Sequence, residues 1–336
     1  MIVIFALRPV RCFAFLGLLA IGATIPARAA THPGQAELVQ EVARDTGKDP
    51  QALNALLDGA QRQQSILDAI SRPAESKPWK DYRPIFVTDK RIADGIAFYR
   101  EHRELLERIG KQYGVAPEYI VAIIGVETSY GRNTGNYKVL DALVTLGLYY
   151  PPRAKFFREQ LKELLEMPAS DLAGPLDQLT GSYAGAQGWG QFMPTSIRDF
   201  GVDEDHDGHI DLQRSLPDIF ASVANYFARH GWVSGEPVAV RALADPSAEP
   251  VTVKDSKPLW PLEQFEAWGY APLQRISPAQ PTTLLELDGA NGPEYWFTFQ
   301  NFYVITRYNR SPMYAMAVNQ LAQAIAAGVG SEDAPR

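Results

Sequence analysis

Residues 117–131 read PEYIVAIIGVETSYG, and this stretch decides the fold prediction. Pro117 suits the first position of a helix, where its missing N–H group is not needed. The residues after it are apolar on almost every face, so we predict a helix buried in the core of a mainly α chain. Glu127 closes this apolar run. Because apolar surroundings disfavour the charged form of a carboxyl group, we expect the pKa of Glu127 to rise.

The carboxyl group of Glu127 has two interpretations. A carboxylic acid that stays neutral near pH 7 can act as a general acid in catalysis. The same residue can equally be a structural glutamate whose side chain is satisfied by an arginine or a backbone amide. The local pattern leaves both open and makes Glu127 the candidate catalytic residue.

The chain around this helix is acidic and has the composition of a globular protein. Of its 336 residues, 46% are hydrophobic and 21% are charged, which fits a large buried core and excludes a wholly disordered chain. The formal net charge is −7. That balance argues against nucleic acid as a partner and against tight binding to anionic lipid. Nothing in the composition indicates an obligate oligomer, so we expect a monomer.

Residues 1–29 have the features of a secretory signal peptide. Arg8 and Arg11 precede a short apolar run, and Ala27, Arg28 and Ala29 form a cleavage site with small residues at both ends. We therefore predict export to the periplasm by a cleavable signal, without stable insertion in the membrane. The run is short for a transmembrane span, although a retained membrane anchor is the alternative.

Beyond the signal, the pattern of apolar residues divides the chain into four parts. Residues 30–78 form a predicted N-terminal helical segment, and residues 79–235 form the predicted core of the chain, which contains Glu127. Residues 236–310 carry β-leaning runs, including one over 295–305, and are predicted to form a small β-containing subdomain. Residues 311–336 are predicted to be a C-terminal helix packed on the core, followed by a tail.

Residues 203–214 resemble the first part of an EF-hand calcium loop. The ligands that this spacing predicts are the side chains of Asp203, Asp205 and Asp207 and the backbone carbonyl of His209. The twelfth position, which normally supplies a bidentate glutamate, is Arg214. A structural calcium ion and an acidic turn without metal therefore both remain open.

Residues 181–194 are dense in glycine and also contain tyrosine, tryptophan and glutamine. Glycine lets a ligand approach the backbone closely, and aromatic rings together with amide groups suit a sugar. A purely structural turn is an equally good interpretation of this spacing.

Five motifs, taken in their order along the chain, resemble one known family. They are GVETSYG (125–131), SYAGA (182–186), GQFMP (190–194), SVANY (222–226) and NFYVITRYN (301–309). Together they resemble the membrane-bound lytic murein transglycosylase B family, glycoside hydrolase family 103, over residues 35–326. The membrane-bound part of that name does not carry over, because the residues before Cys12 are not those of a lipid-attachment site.

The resemblance implies a fold and a reaction. The fold is a lysozyme-like α core with smaller α and β subdomains around a glycan-binding groove. The reaction cleaves the β-1,4 bond between N-acetylmuramic acid and N-acetylglucosamine in peptidoglycan without water, and leaves a 1,6-anhydromuramoyl end. Glu127 matches the family's general acid, which later acts as the base. The substrate's own N-acetyl group takes the place of a second carboxylate, and the chemistry requires no cofactor.

The resemblance also implies a set of residues that contact the sugar. By motif they are Tyr82, Arg153, Ser182, Gln191, Tyr226, Tyr308, Asn309 and Tyr314. Where the family often has Pro-Arg-Arg, this chain has Pro151, Pro152 and Arg153, so only the last of the three carries over.

Two other functions stay open beside the transglycosylase. One is a lysozyme-like muramidase on the same scaffold, which uses water and leaves a reducing end. The other is a non-catalytic protein that only binds peptidoglycan. The intact motif around Glu127 disfavours the second, since a protein that has lost catalysis has less need of this acid.

Overall fold

The structure, a computed structural model, describes residues 32–71, 77–251 and 255–333. The signal peptide predicted for residues 1–29 lies outside the described residues. None of the helices in the described part of the chain is long and apolar enough to span a lipid bilayer.

The described residues form fourteen α-helices and seven short strands. The helices are α1 (Gln35–Thr46), α2 (Pro50–Gly59), α3 (Gln64–Ile70), α4 (Trp79–Phe86), α5 (Asp89–Glu101), α6 (Arg103–Tyr113), α7 (Pro117–Thr128), α8 (Val139–Tyr149), α9 (Ala154–Glu166), α10 (Pro194–Phe200), α11 (Leu216–Arg229), α12 (Leu262–Ala267), α13 (Gln300–Tyr308) and α14 (Pro312–Asp333). The strands are β1 (Tyr137–Lys138), β2 (Thr180–Gly181), β3 (Ala239–Ala244), β4 (Trp260–Pro261), β5 (Tyr270–Pro272), β6 (Pro281–Gly289) and β7 (Gly292–Thr298). The prediction of a mainly α chain with a smaller β portion is confirmed.

The apolar helix predicted after Pro117 is α7, and it lies at the centre of the core. Every residue from Tyr119 to Val126 is buried. The helix packs against α5, α6, α11 and α14, which leaves it no polar face to expose. Because these four helices surround α7, its sequence needs no polar face.

The strands form two sheets whose neighbouring strands are all antiparallel. The larger one has the order β4-β6-β7-β3-β5, and the smaller pairs β1 with β2. The larger sheet holds its own apolar cluster, in which Phe265 of α12 packs against Phe297 of β7. The other buried apolar residues form one continuous core that runs through the helices.

The strand predicted over residues 295–305 is wrong in its second half. Strand β7 ends at Thr298, and the chain continues as helix α13 from Gln300. The residues of this segment suit a strand and a helix about equally well by themselves, so tertiary packing determines which of the two forms. The side chain of Asn301, for instance, donates to the carbonyls of Val233 and Glu236 only from this helical position. The boundaries at residues 79, 236 and 311 stay predictions.

Candidate active site

A cavity of about 360 Å³ opens beside the C-terminal end of α7. Its lining residues are Glu127, Ser182, Tyr183, Ala184, Ala186, Gln191, Phe192, Met193, Ser196, Tyr226, Tyr308 and Asn309. The fold thus brings α7, the glycine-dense segment, α11 and α13 to one place. A larger cavity of about 890 Å³ lies beside α2 and shares none of these lining residues, so volume alone does not locate the chemistry.

Glu127 is half-buried in the last turn of α7 and faces this cavity. The hydroxyl of Tyr314, on α14, donates a hydrogen bond of 2.5 Å to its Oε1 atom. Burial raises the pKa of Glu127 to about 7, and the hydrogen bond from Tyr314 opposes that rise. The carboxyl group is therefore poised to hold a proton near neutral pH and to release it when a basic atom arrives.

The backbone after Glu127 fixes the end of the helix. Ser129 and Tyr130 both adopt left-handed conformations, with φ of 52° and 62°, which non-glycine residues rarely do. Tyr130 is held there by its hydroxyl, which donates to the carbonyl of Arg91 at 2.8 Å. Its ring lies so close to Gly125 that a Cβ at this glycine would come within 2.7 Å of it. The local strain is thus offset by packing on both sides of the turn.

Tyr226 and Tyr308 form an aromatic wall of the cavity. Their ring centroids are 4.7 Å apart. The hydroxyl of Tyr308 donates to the carbonyl of Gly190 at 2.5 Å, and that of Tyr226 donates to the carbonyl of Arg307 at 2.7 Å. Burial raises the pKa of Tyr226 to about 12. Since both hydroxyl protons are used within the protein, these residues offer a ligand their ring surfaces and oxygen lone pairs.

Three polar side chains offer the cavity a complementary set of hydrogen-bonding groups. Ser182 Oγ accepts from the backbone N–H groups of Ala184 and Ala186, so its own proton is available to a ligand. The Gln191 amide nitrogen donates to the carbonyls of Thr134 and Gly188, which leaves its oxygen as an acceptor. Asn309 Oδ1 accepts from the N–H of Ser311, which leaves its amide nitrogen as a donor. A molecule with several hydroxyl and amide groups matches this set.

Three residues predicted to contact the sugar lie outside the lining of this cavity, namely Tyr82, Arg153 and Tyr314. Arg153 is exposed, and its guanidinium stacks over the rings of Phe156 and Phe157, 4.8 and 4.9 Å from their centroids. Tyr82 is buried on α4 and stacks against Trp79. Tyr82 is close enough to Tyr314 for its phenol to contribute to the raised pKa of that residue. The sugar contacts predicted for these three residues stay predictions, as do those predicted for the residues that line the cavity.

The acidic loop and the start of α11 bring three carboxyl groups close together. One carboxylate oxygen from each of Asp203, Asp205 and Asp218 lies within 4.8 Å of the other two. Calcium binds oxygen at 2.3–2.6 Å, so oxygens this close together are near the spacing at which they share one ion. The Oδ1 atom of Asp203 is buried and lacks a hydrogen-bond partner among the described residues. A buried carboxylate oxygen without a hydrogen-bond partner, on a residue that lies beside two other carboxyl groups, is consistent with a cation site.

Asp218 is the carboxyl group of this cluster that the spacing of an EF-hand loop does not predict. It lies four residues after Arg214, in the first turn of α11, and its side chain is fully buried. Arg214 lines a different cavity. The third carboxyl group of the cluster therefore comes from the following helix and not from the twelfth position of the loop. The one sequence signal was Ser215, three residues before an acid, which is typical of a helix start.

All four predicted ligands stay predictions, and two of them, Asp207 and His209, lie outside the cluster of three. The carboxylate of Asp207 accepts from the backbone N–H of His209 at 2.8 Å and is not part of the cluster of three. Burial and the neighbouring Asp205 carboxylate raise the pKa of Asp218, while the N–H groups of Asp211 and Glu204 lower it.

The family model of the transglycosylase SLT domain matches residues 30–323, which is most of the chain. The chain belongs to the transglycosylase SLT domain family.

The relatives that this chain matches share most of their length with it. The membrane-bound lytic murein transglycosylase B of Escherichia coli (strain K12) is 41% identical over 307 residues, covering 88% of this chain and 84% of that protein. The crystal structure of the soluble lytic transglycosylase SltB1 from Pseudomonas aeruginosa has a TM-score of 0.83 and 51% identity, covering 89% and 100%. The Escherichia coli lytic transglycosylase Slt35, solved in complex with calcium, has a TM-score of 0.81 and 40% identity, covering 90% and 95%.

Membership of the SLT domain family confirms two predictions from the sequence. The resemblance to lytic murein transglycosylase B is confirmed by a match over nearly the whole chain after the predicted signal. The lysozyme-like fold with mixed α and β parts is confirmed by the solved lytic transglycosylases.

Proposed function

We propose that this SLT-family chain is a peptidoglycan lytic transglycosylase that cleaves the β-1,4 bond between N-acetylmuramic acid and N-acetylglucosamine. The observation that carries the proposal is the state of Glu127. It faces a cavity built for a polar ligand, its pKa is raised to about 7, and a tyrosine hydroxyl fixes its position. The relatives named above are lytic transglycosylases, which agrees with this chemistry.

The reaction needs one proton carrier and consumes no water. Protonated Glu127 donates its proton to the glycosidic oxygen as the bond from that oxygen to C1 of muramic acid breaks, and N-acetylglucosamine leaves as an alcohol. The C6 hydroxyl oxygen of the same muramic acid then bonds to C1. Its proton passes to the Glu127 carboxylate, which restores the acid and leaves a 1,6-anhydro ring.

The composition of the cavity supports this reaction over hydrolysis. A glycosidase that uses water or a covalent intermediate needs two carboxyl groups about 5–9.5 Å apart. Glu127 is the one acidic side chain among the described residues that line the cavity. We therefore favour the transglycosylase over the muramidase, and the raised pKa disfavours a protein that only binds glycan.

The polar and aromatic lining residues bind the sugars in this proposal. The Ser182 hydroxyl and the Asn309 amide nitrogen donate to sugar oxygens, and the Gln191 amide oxygen accepts from an N-acetyl N–H or a hydroxyl. Tyr226 and Tyr308 supply apolar surface for a sugar ring. Tyr82 and Arg153 extend the contacts along the groove beyond the cavity.

We further propose that the loop binds a structural calcium ion. Asp203, Asp205 and Asp218 hold it through carboxylate oxygens, and Asp207 and the carbonyl of His209 complete the shell. The orphaned oxygen of Asp203 supports this proposal. The calcium complex of the relative Slt35 is consistent with it. When bound, the ion neutralises crowded carboxylates, so its contribution is to the fold of the loop.

The proposed location is the periplasm, where peptidoglycan lies. It rests on the sequence features of residues 1–29 and on the nature of the substrate. We expect peptidoglycan strands to be the partner, because the negative net charge argues against nucleic acid and the apolar run of residues 1–29 is short for a transmembrane span.

Product analysis tests the proposed reaction. Purified residues 30–336 are incubated with peptidoglycan sacculi, and the soluble products are analysed by mass spectrometry. Products that end in 1,6-anhydromuramic acid, lighter by one water than the hydrolytic ones, are the expected result. Reducing ends would identify a muramidase. A complete lack of products in the presence of calcium would leave a binding protein.

A further inference from the structure

A second polar cavity lies next to the one that Glu127 faces. Its volume is about 300 Å³. Its lining residues are Gly59, Gln61, Gln63, Asn136, Tyr137, Lys138 and Asp141. None of these residues takes part in the reaction proposed above, and the sequence motifs do not include them.

Neighbouring backbone segments contribute to the lining of the two cavities. Strand β1 pairs with β2, so that Tyr137 lies opposite Gly181, and Ser182 of the first cavity follows directly. Gly135 has a φ of +94°, and a Cβ there would come within 2.1 Å of the Gly181 carbonyl oxygen. The two segments are therefore in backbone contact. Asn136 follows Gly135 directly, so the rim of the second cavity begins beside the segment that carries Ser182.

The inner side of the second cavity is rigid. Asp141 Oδ1 accepts from the backbone N–H of Gln61 at 2.9 Å, and its Oδ2 atom accepts from the Gln63 side-chain amide at 3.2 Å. The hydroxyl of Thr145 accepts from the backbone N–H of Gln63 at 2.9 Å. These bonds hold the segment between α2 and α3 against α8, so the site is preorganised for a ligand.

The outer side carries groups without partners in the described part of the chain. Lys138 is exposed and belongs to no ion pair of the described residues. Asn136 is also exposed and presents its amide at the rim. The cavity thus combines an ammonium group, a buried carboxylate and several amides. A peptide offers the matching groups, because its amides pair with amides and its charged ends pair with opposite charges.

We propose that this second cavity binds the stem peptide that peptidoglycan carries on its muramic acid. Lys138 pairs with a carboxylate of the peptide, and Asp141 faces the ammonium group of its diamino acid. Asn136 and the two glutamines bond to the peptide groups between them. The inference rests on the proposed function, because a glycan strand in the first cavity is what brings the peptide to the second.

The test compares two substrates and two lysine variants. Peptidoglycan is used either intact or after an amidase has removed its stem peptides, and release of soluble anhydro-sugars is followed. Lys138→Ala removes the proposed contact. Lys111→Ala is the control, since Lys111 is an exposed lysine on α6 that lines neither cavity. On intact substrate we expect Lys138→Ala to raise KM about tenfold with kcat unchanged, as loss of a charge-assisted hydrogen bond does.

Each outcome separates the peptide site from the proposed function. On stripped glycan we expect both variants to match the wild type. An equal loss on both substrates would assign the cavity to the glycan and overturn the proposal, as would no loss on either. If the wild type is inactive on both substrates, the proposed function itself fails. In that event, titration of the free tripeptide L-alanyl-γ-D-glutamyl-meso-diaminopimelate by NMR still tests the cavity. Binding that Lys138→Ala weakens and Lys111→Ala does not would support it, and absence of binding to the wild type would overturn it.

Discussion

Glu127 and Asp218 are both carboxyl groups with a raised pKa, yet the structure surrounds them in opposite ways. Glu127 lies among apolar helices and receives one hydrogen bond from a neutral hydroxyl, that of Tyr314. Asp218 receives backbone N–H groups from Glu204 and Asp211, at 2.9 Å each, and lies beside other carboxylates. Burial sets the direction of the pKa in both. The surrounding groups then determine the role of each carboxyl group, which in our proposal is proton transfer for Glu127 and cation binding for Asp218.

The two sites also differ in how far along the chain their partners lie. Tyr314 is 187 residues from Glu127, whereas the two N–H donors to Asp218 are 14 and 7 residues away. The acid therefore depends on the whole helical core, while the acidic loop is largely a local structure. The following changes test whether this contrast holds.

Glu127→Gln is expected to have the largest effect. An amide of the same shape cannot donate the catalytic proton, so we expect the rate of anhydro-sugar release to fall by about 1,000-fold or more. The matched control is Glu118→Gln, at the other end of the same helix and outside the cavity. A variant at 127 with more than a tenth of the wild-type rate would contradict the assignment of the acid.

The same variant has an effect on stability with a definite sign. The pKa of Glu127 is about 7 in the folded chain against an ordinary 4.5, so the folded state holds this proton more tightly. The stability that results is complete below pH 4.5 and is lost as the pH rises through 7. The difference corresponds to roughly 3 kcal/mol. We therefore expect Glu127→Gln to unfold at a higher temperature than the wild type at pH 8, and at a similar one at pH 4.

Asp218→Asn is expected to affect calcium and leave the acid unchanged. Removal of one carboxylate from three lowers the charge that binds the ion, so we expect the calcium affinity to fall roughly 100-fold. The rise in melting temperature on addition of calcium should disappear with it. The control is Asp177→Asn, an exposed aspartate outside the cluster. An undiminished calcium response in Asp218→Asn would mean that the ion, if bound, lies elsewhere.

The contrast also explains what the sequence predicts well. Helix α7 and the acidic loop are each contiguous, and their patterns predict a buried acid and a loop that either binds calcium or is an acidic turn without metal. The partner of Glu127 is not contiguous with it, and the family resemblance predicts Tyr314 as a residue of the groove without predicting its hydrogen bond to Glu127. Asp218 lies outside the twelve residues of the expected loop, so spacing rules miss it. Helix α13 follows a strand made of similar residues, and long-range packing alone distinguishes the two.

Tyr314→Phe tests the long-range half of the contrast. Its hydroxyl favours the charged form of Glu127, so its loss should raise the pKa of that residue further. We expect the basic limb of the pH profile of kcat/KM to move to higher pH by about one, with roughly a tenfold lower rate at the optimum. Tyr226→Phe is the control, because the Tyr226 hydroxyl bonds to the Arg307 carbonyl. If the basic limb moved equally in both variants, the Tyr314 hydroxyl would have no specific effect on the pKa of Glu127.

Ser215→Ala tests the local half and should have the smallest effect. The Ser215 hydroxyl donates to Asp205 at 2.7 Å and also caps α11 by accepting from the N–H of Asp218. Thr88 caps α5 in the same way, through the N–H of Arg91, far from any metal ligand. Alanine at either position should cost about 1 kcal/mol of the free energy of unfolding. Only Ser215→Ala should also weaken calcium binding, by a few fold, because the Asp205 carboxylate then loses the hydrogen bond that orients it. If calcium titrations of the two variants coincide, the cap stabilises the helix alone, and the loop holds its carboxylates without it.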